Sequence, residues 1–153
     1  MSTTPALYEC ALLAGWADID VNGHMRNTAY LEKAVDVRML YFASAGFAIG
    51  DFSRLRIGPV IRSEEVAYFR EVGLLESVRG TLQLGGIAAD GSRFRVCNEF
   101  YRADGRLAAR VVSTGGWLDL DARKLIAPPP PLTAALKALV RTEDYSELPS
   151  SLK

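Results

Sequence analysis

Two Asp-Gly dipeptides separate three long segments of alternating polar and apolar residues, and this pattern constrains the fold more than any other feature. The segments are residues 78–88, 93–102 and 107–118, and the dipeptides are Asp90-Gly91 and Asp104-Gly105. Asp-Gly favours the positive φ angles that tight hairpin turns need. Alternation places every second side chain on the same face of a strand. The sequence therefore predicts an antiparallel meander whose strands exceed the usual ~5 or 6 residues.

The N-terminal half predicts one long helix that such a sheet can wrap around. Tyr30, Ala34, Val37 and Tyr41 recur at the three-to-four-residue spacing of an amphipathic helix, which we expect over residues 27–45. Asn27 or Thr28 is expected to cap its start, because a short polar side chain accepts hydrogen bonds from free backbone amides. Gly46 is expected to end it.

Further strands are predicted on either side of this helix. Residues 7–13 have the length of a strand. Residues 66–72 return to a β pattern after Gly58 and Pro59, which either shape a turn or mark an ordinary strand entry. Four prolines at 128–131 then break the chain before a short terminal helix marked by spaced leucines. We expect one domain over residues 1–141 and a frayed polar tail over residues 142–153.

Composition excludes several classes of function. The chain has 153 residues, 18 Lys+Arg against 18 Asp+Glu, and 49% hydrophobic residues, which fits one globular domain. Balanced charge offers no basic surface for nucleic acid or anionic lipid. Its longest weakly polar run, residues 39–50, is too short to span a bilayer. Without a visible secretory signal we expect a cytoplasmic protein that contacts no membrane, with Cys10 and Cys97 as apolar fillers.

The segment most suggestive of chemistry is residues 17–30, ADIDVNGHMRNTAY, which leads into the predicted helix. It concentrates carboxylates, carboxamides and the only histidine of the chain in a loop, where functional residues often lie. The pattern D-x-D-x-N-x-H-x-x-N-x-x-Y resembles the signature of the hotdog-fold thioesterases, above all the 4-hydroxybenzoyl-CoA thioesterase group and the acyl-ACP thioesterases. Its members here are Asp18, Asp20, Asn22, His24, Asn27 and Tyr30.

This resemblance implies a fold, an activity and an assembly. The fold would be α+β, a hotdog in which a long antiparallel sheet wraps around one central helix. The activity would be hydrolysis of acyl-CoA or of an acyl group on acyl carrier protein, without metal or other cofactor. The protein would form a homodimer or tetramer with active sites between subunits. Asp20 would be the catalytic carboxylate, and Asn22 and His24 would complete the catalytic set.

The chemistry of thioester hydrolysis suits these residue types. It needs a nucleophile or a general base, and Asp20 could serve as either. It also needs donors for the developing oxyanion, which backbone amides of residues 23–27 could supply at the start of the helix. Gly23 would let the backbone approach the substrate. Asp18 is expected to form a turn.

The remaining expectations concern the substrate. Asn27 is either the helix cap or a substrate contact, and Tyr30 either a core residue or a substrate contact. The segment around Gly58, Pro59, Val60 and Ile61 resembles the part of the family that lines the substrate channel. Glu64 and Glu65 are reserve carboxylates, and Arg54, Arg56 and Arg62 are candidates to meet the phosphates of CoA.

Two alternative functions stay open. One is a protein that binds acyl-CoA without hydrolysing it. The other is an enoyl-thioester hydratase of the same fold, whose D-x-N-P-x-H pattern this chain matches poorly because it has no proline there.

Overall fold

The structure is a computed structural model that describes residues 5–152, and it confirms an α+β fold with a long antiparallel sheet around one helix. Residues 1–4 and 153, at the outer ends of the predicted domain and tail, lie outside the described residues. The strands are β1 (Tyr8–Leu13), β2 (Ile57–Tyr68), β3 (Ser77–Ala88), β4 (Arg93–Arg102), β5 (Leu107–Asp119), β6 (Lys124–Ile126) and β7 (Arg141–Leu148). The helices are α1 (Asn27–Ser44), α2 (Ile49–Leu55) and α3 (Pro130–Lys137), with a 3-10 turn at Trp16–Asp18.

The predicted meander forms the centre of the sheet. The strand order of the whole sheet is β1-β3-β4-β5-β2, with β6 beside β5 and β7 beside β3. The turns between β3 and β4 and between β4 and β5 contain Gly91 and Gly105 at φ angles of 75° and 83°. These left-handed conformations are the ones that the Asp-Gly dipeptides predict for tight hairpin turns.

Helix α1 packs closely on the concave face of the sheet. Ala29, Ala34 and Val37 are fully buried on the side that faces the strands. At Gly80 of β3, an added Cβ would lie 2.9 Å from Val37 Cγ2, so only glycine leaves room for the helix at this distance. The core between them is dense in aromatic rings, and Phe42, Phe52 and Phe94 surround Trp117.

The start of α1 corrects one prediction. The residue before the first helical turn is Arg26, and among residues 5–152 no side chain caps the helix. Asn27 is the first helical residue and does not act as the cap. Instead, the preceding loop positions the helix start through its backbone, because Arg26 N donates to Asp18 O at 2.6 Å. The predicted end is confirmed, since the helix stops at Ser44 and Gly46 adopts a φ of 89°.

Of the two expectations for Gly58 and Pro59, the strand entry is confirmed and the turn is wrong. Both residues lie inside β2, opposite Leu118 and Trp117 of β5. Proline is tolerated here because β2 is an edge strand and does not need every N–H for a ladder. The strand also ends at Tyr68, four residues earlier than the β pattern of residues 66–72 indicated.

The expected frayed end is also wrong, because Arg141–Leu148 forms strand β7. β1 covers only the first half of β3, from Ser77 to Leu82, and so leaves the edge of its second half open. β7 fills this edge in the parallel direction, with Gly86 opposite Ser146. Within residues 5–152, no helix has the length and apolar character needed to cross a bilayer.

Candidate active site

The loop of residues 19–26 is held against two neighbouring segments, which fixes its side chains in front of α1. Arg26 N bonds Asp18 O on one side, and Met25 N donates to Val72 O at 2.7 Å on the other. A short bridge between His24 and Gly73 continues this second contact. The motif that the sequence singled out is therefore an ordered loop at the N-terminus of the central helix.

Asp20 organises this loop with one of its two carboxylate oxygens. Oδ1 accepts hydrogen bonds from Asn22 N at 2.9 Å and from His24 N at 3.2 Å. The backbone N–H of Asp20 returns a bond to His24 O at 2.9 Å. Oδ2 has no hydrogen-bond partner among residues 5–152, and the side chain is half-buried. Asp20 thus combines a fixed orientation with a free carboxylate oxygen.

Most backbone amides of the loop already have acceptors. The amides of Gly23, His24, Met25 and Arg26 donate to Asp20 O, Asp20 Oδ1, Val72 O and Asp18 O. In the described part of the chain, the amides of Asn27 and Thr28 have no such acceptor, because no side chain caps α1. The expected donors in residues 23–27 are therefore reduced to Asn27, with Thr28 beside it in the first helical turn.

His24 is paired with a carboxylate that the sequence analysis did not identify. His24 Nε2 lies 3.1 Å from Glu71 Oε2, and both side chains remain partly exposed, at 41% and 63%. Glu71 follows β2, so 47 residues separate the pair in sequence. The available signal for Glu71 was its place as an acidic residue in the segment that follows a strand and returns to the loop. That signal could be used only once the bounds of β2 were known.

Asp18 forms the turn that the sequence predicted and also a shielded ion pair. Its Oδ2 accepts from Gly15 N at 2.8 Å and lies 3.0 Å from Lys33 Nζ on α1. Both charged side chains are at most 15% exposed. Burial would raise the pKa of Asp18, but the Lys33 ammonium and the Gly15 amide together outweigh it and hold the pKa below its usual value. This pair ties the loop to the helix.

The other residues of the motif differ in their exposure. Asn22 and Gly23 are exposed, and Gly23 has a φ of 77° with open space where a Cβ would lie. Tyr30 is only 2% exposed and packs edge-on against Tyr68 and Phe100 in the core. Burial raises the pKa of its hydroxyl to about 12. The loop thus brings Asp20, Asn22, Gly23 and His24 together, whereas Tyr30 lies beneath them.

The predicted channel residues of β2 divide between the two faces of the strand. Pro59 and Ile61 line a cavity of about 110 Å³ against α1. Gly58 and Val60 alternate with them and lie outside this lining. The strand therefore offers two of the four predicted residues to a ligand beside the helix.

Different arginines from those predicted flank the loop. A cavity of about 320 Å³ is lined by Phe69, Arg70, Glu71, Arg102, Asp104 and Arg106, so it adjoins the partner of His24. Arg70 and Arg106 have no ion-pair partner among the described residues. The predicted Arg54 and Arg56 instead pair with Asp51 and Asp121, each at 3.2 Å.

Residues 5–152 contain no group of three or more His, Cys, Asp or Glu side chains placed to hold a metal ion. Cys10 and Cys97 are both unbonded. Burial raises the pKa of the Cys97 thiol to about 11, as fits its place inside the protein.

Comparison with solved structures places this architecture among known proteins. Hypothetical protein SAV2348 from Staphylococcus aureus, solved in complex with CoA, is 20% identical with a TM-score of 0.80 over 90% of this chain and 85% of that chain. A 1,4-dihydroxy-2-naphthoyl-CoA thioesterase from Synechocystis is 17% identical, with a TM-score of 0.76 over 86% and 96%. The DHNA-CoA thioesterase from Staphylococcus aureus is 19% identical, with a TM-score of 0.74 over 79% and 80%.

Sequence comparison gives a family but no individual relative. No curated protein matches the chain. The family described as the thioesterase-like superfamily matches residues 14–136, which include the whole loop, α1 and the meander. The chain therefore belongs to the thioesterase-like superfamily and has the hotdog fold.

Proposed function

We propose that this protein hydrolyses acyl-CoA thioesters to a free acid and the CoA thiol. The observation that carries the proposal is the state of Asp20, whose Oδ1 is held by the loop while Oδ2 has no partner among the described residues. It stands before a helix whose first amides are uncapped. Similar structures support CoA as the carrier, since one contains CoA and others are thioesterases of 1,4-dihydroxy-2-naphthoyl-CoA.

Asp20 would act either as general base or as nucleophile. As a base, its free oxygen takes a proton from water while the water oxygen bonds to the thioester carbon. As a nucleophile, it bonds to that carbon itself and forms an anhydride that water then hydrolyses. In both routes the C–S bond breaks and the departing thiolate of CoA takes up a proton.

The amides of Asn27 and Thr28 would stabilise the negative oxygen of the tetrahedral intermediate. They are uncapped and lie at the N-terminus of the 18-residue helix α1, where the partial positive charge of the helix is concentrated. The amides of residues 22–26 already donate to acceptors and cannot contribute without breaking the loop. This division assigns the oxyanion to the helix and the attack to the loop.

His24 and Asn22 would orient water and the thioester rather than attack it. The Glu71 carboxylate at 3.1 Å fixes the direction of the His24 ring. Asn22 is exposed beside it and can both donate and accept. The open backbone at Gly23 leaves space for the pantetheine arm to pass.

The rest of the substrate would extend to both sides of the loop. Pro59 and Ile61 would contact the acyl group in the cavity beside α1. The exposed Asn27 lies outside the lining of that cavity and would be a further contact. On the other side, Arg70 and Arg106 would meet the phosphates of CoA in the cavity next to Glu71. The phosphopantetheine of acyl carrier protein would use this path only in part.

A homodimer or tetramer is also part of the proposal. In the part of the chain that the structure describes, the 12-residue edge strand β2 pairs with β5 on one side only. A long free edge favours pairing with another strand, and a second copy would cover it. Such pairing would bring a partner subunit close to the cavity beside α1.

The test is a panel of acyl-CoA and acyl carrier protein thioesters, with release of free thiol as the readout. We expect hydrolysis of acyl-CoA. Mass spectrometry of the protein after hours with acyl-CoA provides the second arm. Bound and intact acyl-CoA without thiol release would contradict hydrolysis and favour a binding protein.

A further inference from the structure

An arginine lies buried in the middle of the central helix. Arg38 belongs to the face of α1 that packs on the sheet, and its residue surface is only 7% exposed. Removing a guanidinium from water is costly, and buried charges are therefore normally matched by partners. The partners of Arg38 are unusual, because none of those among residues 5–152 is a carboxylate in direct contact.

The charge of Arg38 reaches a carboxylate through a hydroxyl. Arg38 Nη1 donates to Ser113 Oγ at 3.2 Å and lies 3.5 Å from Asn98 Oδ1. Ser113 Oγ in turn donates to Glu64 Oε2 at 2.8 Å. Burial lowers the pKa of Arg38, and the Glu64 carboxylate opposes this effect. An arginine guanidinium stays protonated in proteins, so the cluster contains a positive charge. The chain Arg38, Ser113, Glu64 connects α1, β5 and β2.

Part of the guanidinium is unused. Nη1 makes the hydrogen bonds of this side chain, and Nε and Nη2 have no partner among residues 5–152. In the described residues, Trp117 Nε1 is the only side-chain N or O atom that is both sealed from solvent and without a hydrogen-bond partner. The two unpartnered nitrogens of Arg38 are therefore in contact with solvent. Arg38 therefore presents spare N–H donors to an accessible space.

That space is the cavity of about 110 Å³ between α1 and β2. Apart from Arg38 its lining is apolar, with Val35, Met39, Phe42, Pro59, Ile61 and Phe94. Glu64 belongs to the same face of β2 as Ile61, since both stand opposite inward-facing residues of β5, Ser113 and Gly115. The cavity thus combines hydrocarbon walls, one cationic donor and a nearby negative charge.

We propose that this cavity binds the distal end of the acyl group and selects acyl groups that carry a neutral oxygen there, a hydroxyl or a ketone. This inference rests on the proposed thioester function. The spare donors of Arg38 would bond the oxygen, which a plain hydrocarbon end leaves unpaired. An acyl group with a distal carboxylate would be disfavoured by Glu64, whose charge already balances Arg38.

The test measures binding of CoA thioethers, which have no scissile thioester and report on the cavity whether or not the protein hydrolyses anything. S-alkyl-CoA compounds of increasing chain length are compared with their ω-hydroxy and ω-carboxy counterparts by titration calorimetry. At the best length we expect the ω-hydroxy compound to bind roughly tenfold tighter than the plain one. Arg38→Met should abolish this preference, whereas the exposed control Arg123→Met should keep it.

Glu64→Gln provides a second variant, which we expect to fold like wild type because Glu64 is exposed. It should improve binding of the ω-carboxy compound by roughly tenfold relative to the ω-hydroxy compound. Light scattering on each variant gives the oligomeric mass. The proposal is overturned if no thioether binds, if wild type shows no preference at any length, or if the preference survives Arg38→Met. It is also overturned if Arg38→Met changes the oligomeric mass and not the preference, which would mean that a partner subunit fills the cavity.

Discussion

Asp20, in front of α1, and Arg38, in the middle of α1, are held in opposite ways. In front of the helix, Asp20 is half-buried and accepts from amides two and four residues away. In the middle of the helix, Arg38 is buried and bonds residues 60 and 75 positions away. The loop can therefore form its turn from local sequence, whereas the Arg38 cluster exists only after the sheet has assembled.

This difference separates chemistry from stability. Local bonds that use one oxygen of Asp20 leave the other free to react, and the loop tolerates its exposure to water. The bonds that Arg38 Nη1 makes have no such freedom, because a buried polar group that loses its partner retains its desolvation cost. Substitutions in the loop should therefore reduce activity, and substitution of the buried Arg38 should also reduce the free energy of unfolding.

The largest effect on stability is expected for Arg38→Ala. The change removes the donor to Ser113 and Asn98 and leaves a void inside the sheet, so we expect a loss of about 3 kcal/mol in the free energy of unfolding. Urea denaturation measures it. The exposed Arg123→Ala should lie within about 0.5 kcal/mol of wild type. A similarly small loss for Arg38→Ala would show that the cluster contributes little.

The next effect concerns the loop and is expected in activity alone. His24→Gln should lower kcat for acyl-CoA hydrolysis by about 100-fold, because a residue that orients water or substrate is lost. Glu71→Gln should cost only a few-fold, since an exposed ion pair is weak. Steady-state kinetics by thiol release provides the measurement. Equal effects of the two changes would contradict a supporting role for Glu71.

A smaller effect is expected in the cavity lined by Arg70 and Arg106, where the phosphates of CoA would bind. Replacing Arg70 and Arg106 together by alanine should raise KM for acyl-CoA roughly tenfold, because each would lose a charge-assisted contact with phosphate. The matched substrate is the acyl pantetheine thioester, which has the same acyl group without the nucleotide. Its KM should not change. A KM that rises equally for both substrates would contradict phosphate binding at this cavity.

The smallest effect is expected at the join between loop and helix. Asp18→Asn keeps an acceptor for Gly15 N but removes the charge that faces Lys33, so we expect a loss of about 1 kcal/mol at neutral pH. The pKa of Asp18 is lower in the folded than in the unfolded state. Its stabilisation is therefore complete above the unfolded value near 4 and is lost as the pH falls through the folded value.

Denaturation of both proteins across acid pH tests this sign. The difference between wild type and Asp18→Asn should shrink as the pH falls. The control Asp121→Asn, in an exposed pair with Arg56, should show little difference at any pH. A difference that grows in acid would contradict the direction of the Asp18 pKa.

The sequence was sufficient for features that depend on near neighbours. Asp90-Gly91 and Asp104-Gly105 fix hairpins between adjacent strands, and alternation then decides which side chains face α1. The motif around Asp20 could be found for the same reason.

What could not be foreseen depends on contacts across the sheet. β7 forms because β1 leaves half of β3 uncovered, which no local pattern of residues 141–148 indicates. Pro59 is compatible with a turn or with a strand entry until β2 is known to be an edge strand. Glu71 meets His24 only through the path of the chain after that strand. Which loop amides already have hydrogen-bond acceptors likewise could be seen only in the structure, because the acceptors Val72 and Asp18 belong to other segments.

The most direct test of the proposed hydrolysis is the activity of Asp20→Asn. Asparagine retains an oxygen that can accept from Asn22 N and His24 N, so the loop should keep its turn while the reactive carboxylate is lost. We predict that kcat on acyl-CoA falls by at least about 100-fold, with a KM and a free energy of unfolding close to those of wild type. A kcat within a few-fold of wild type, in a folded variant, would contradict the role of Asp20.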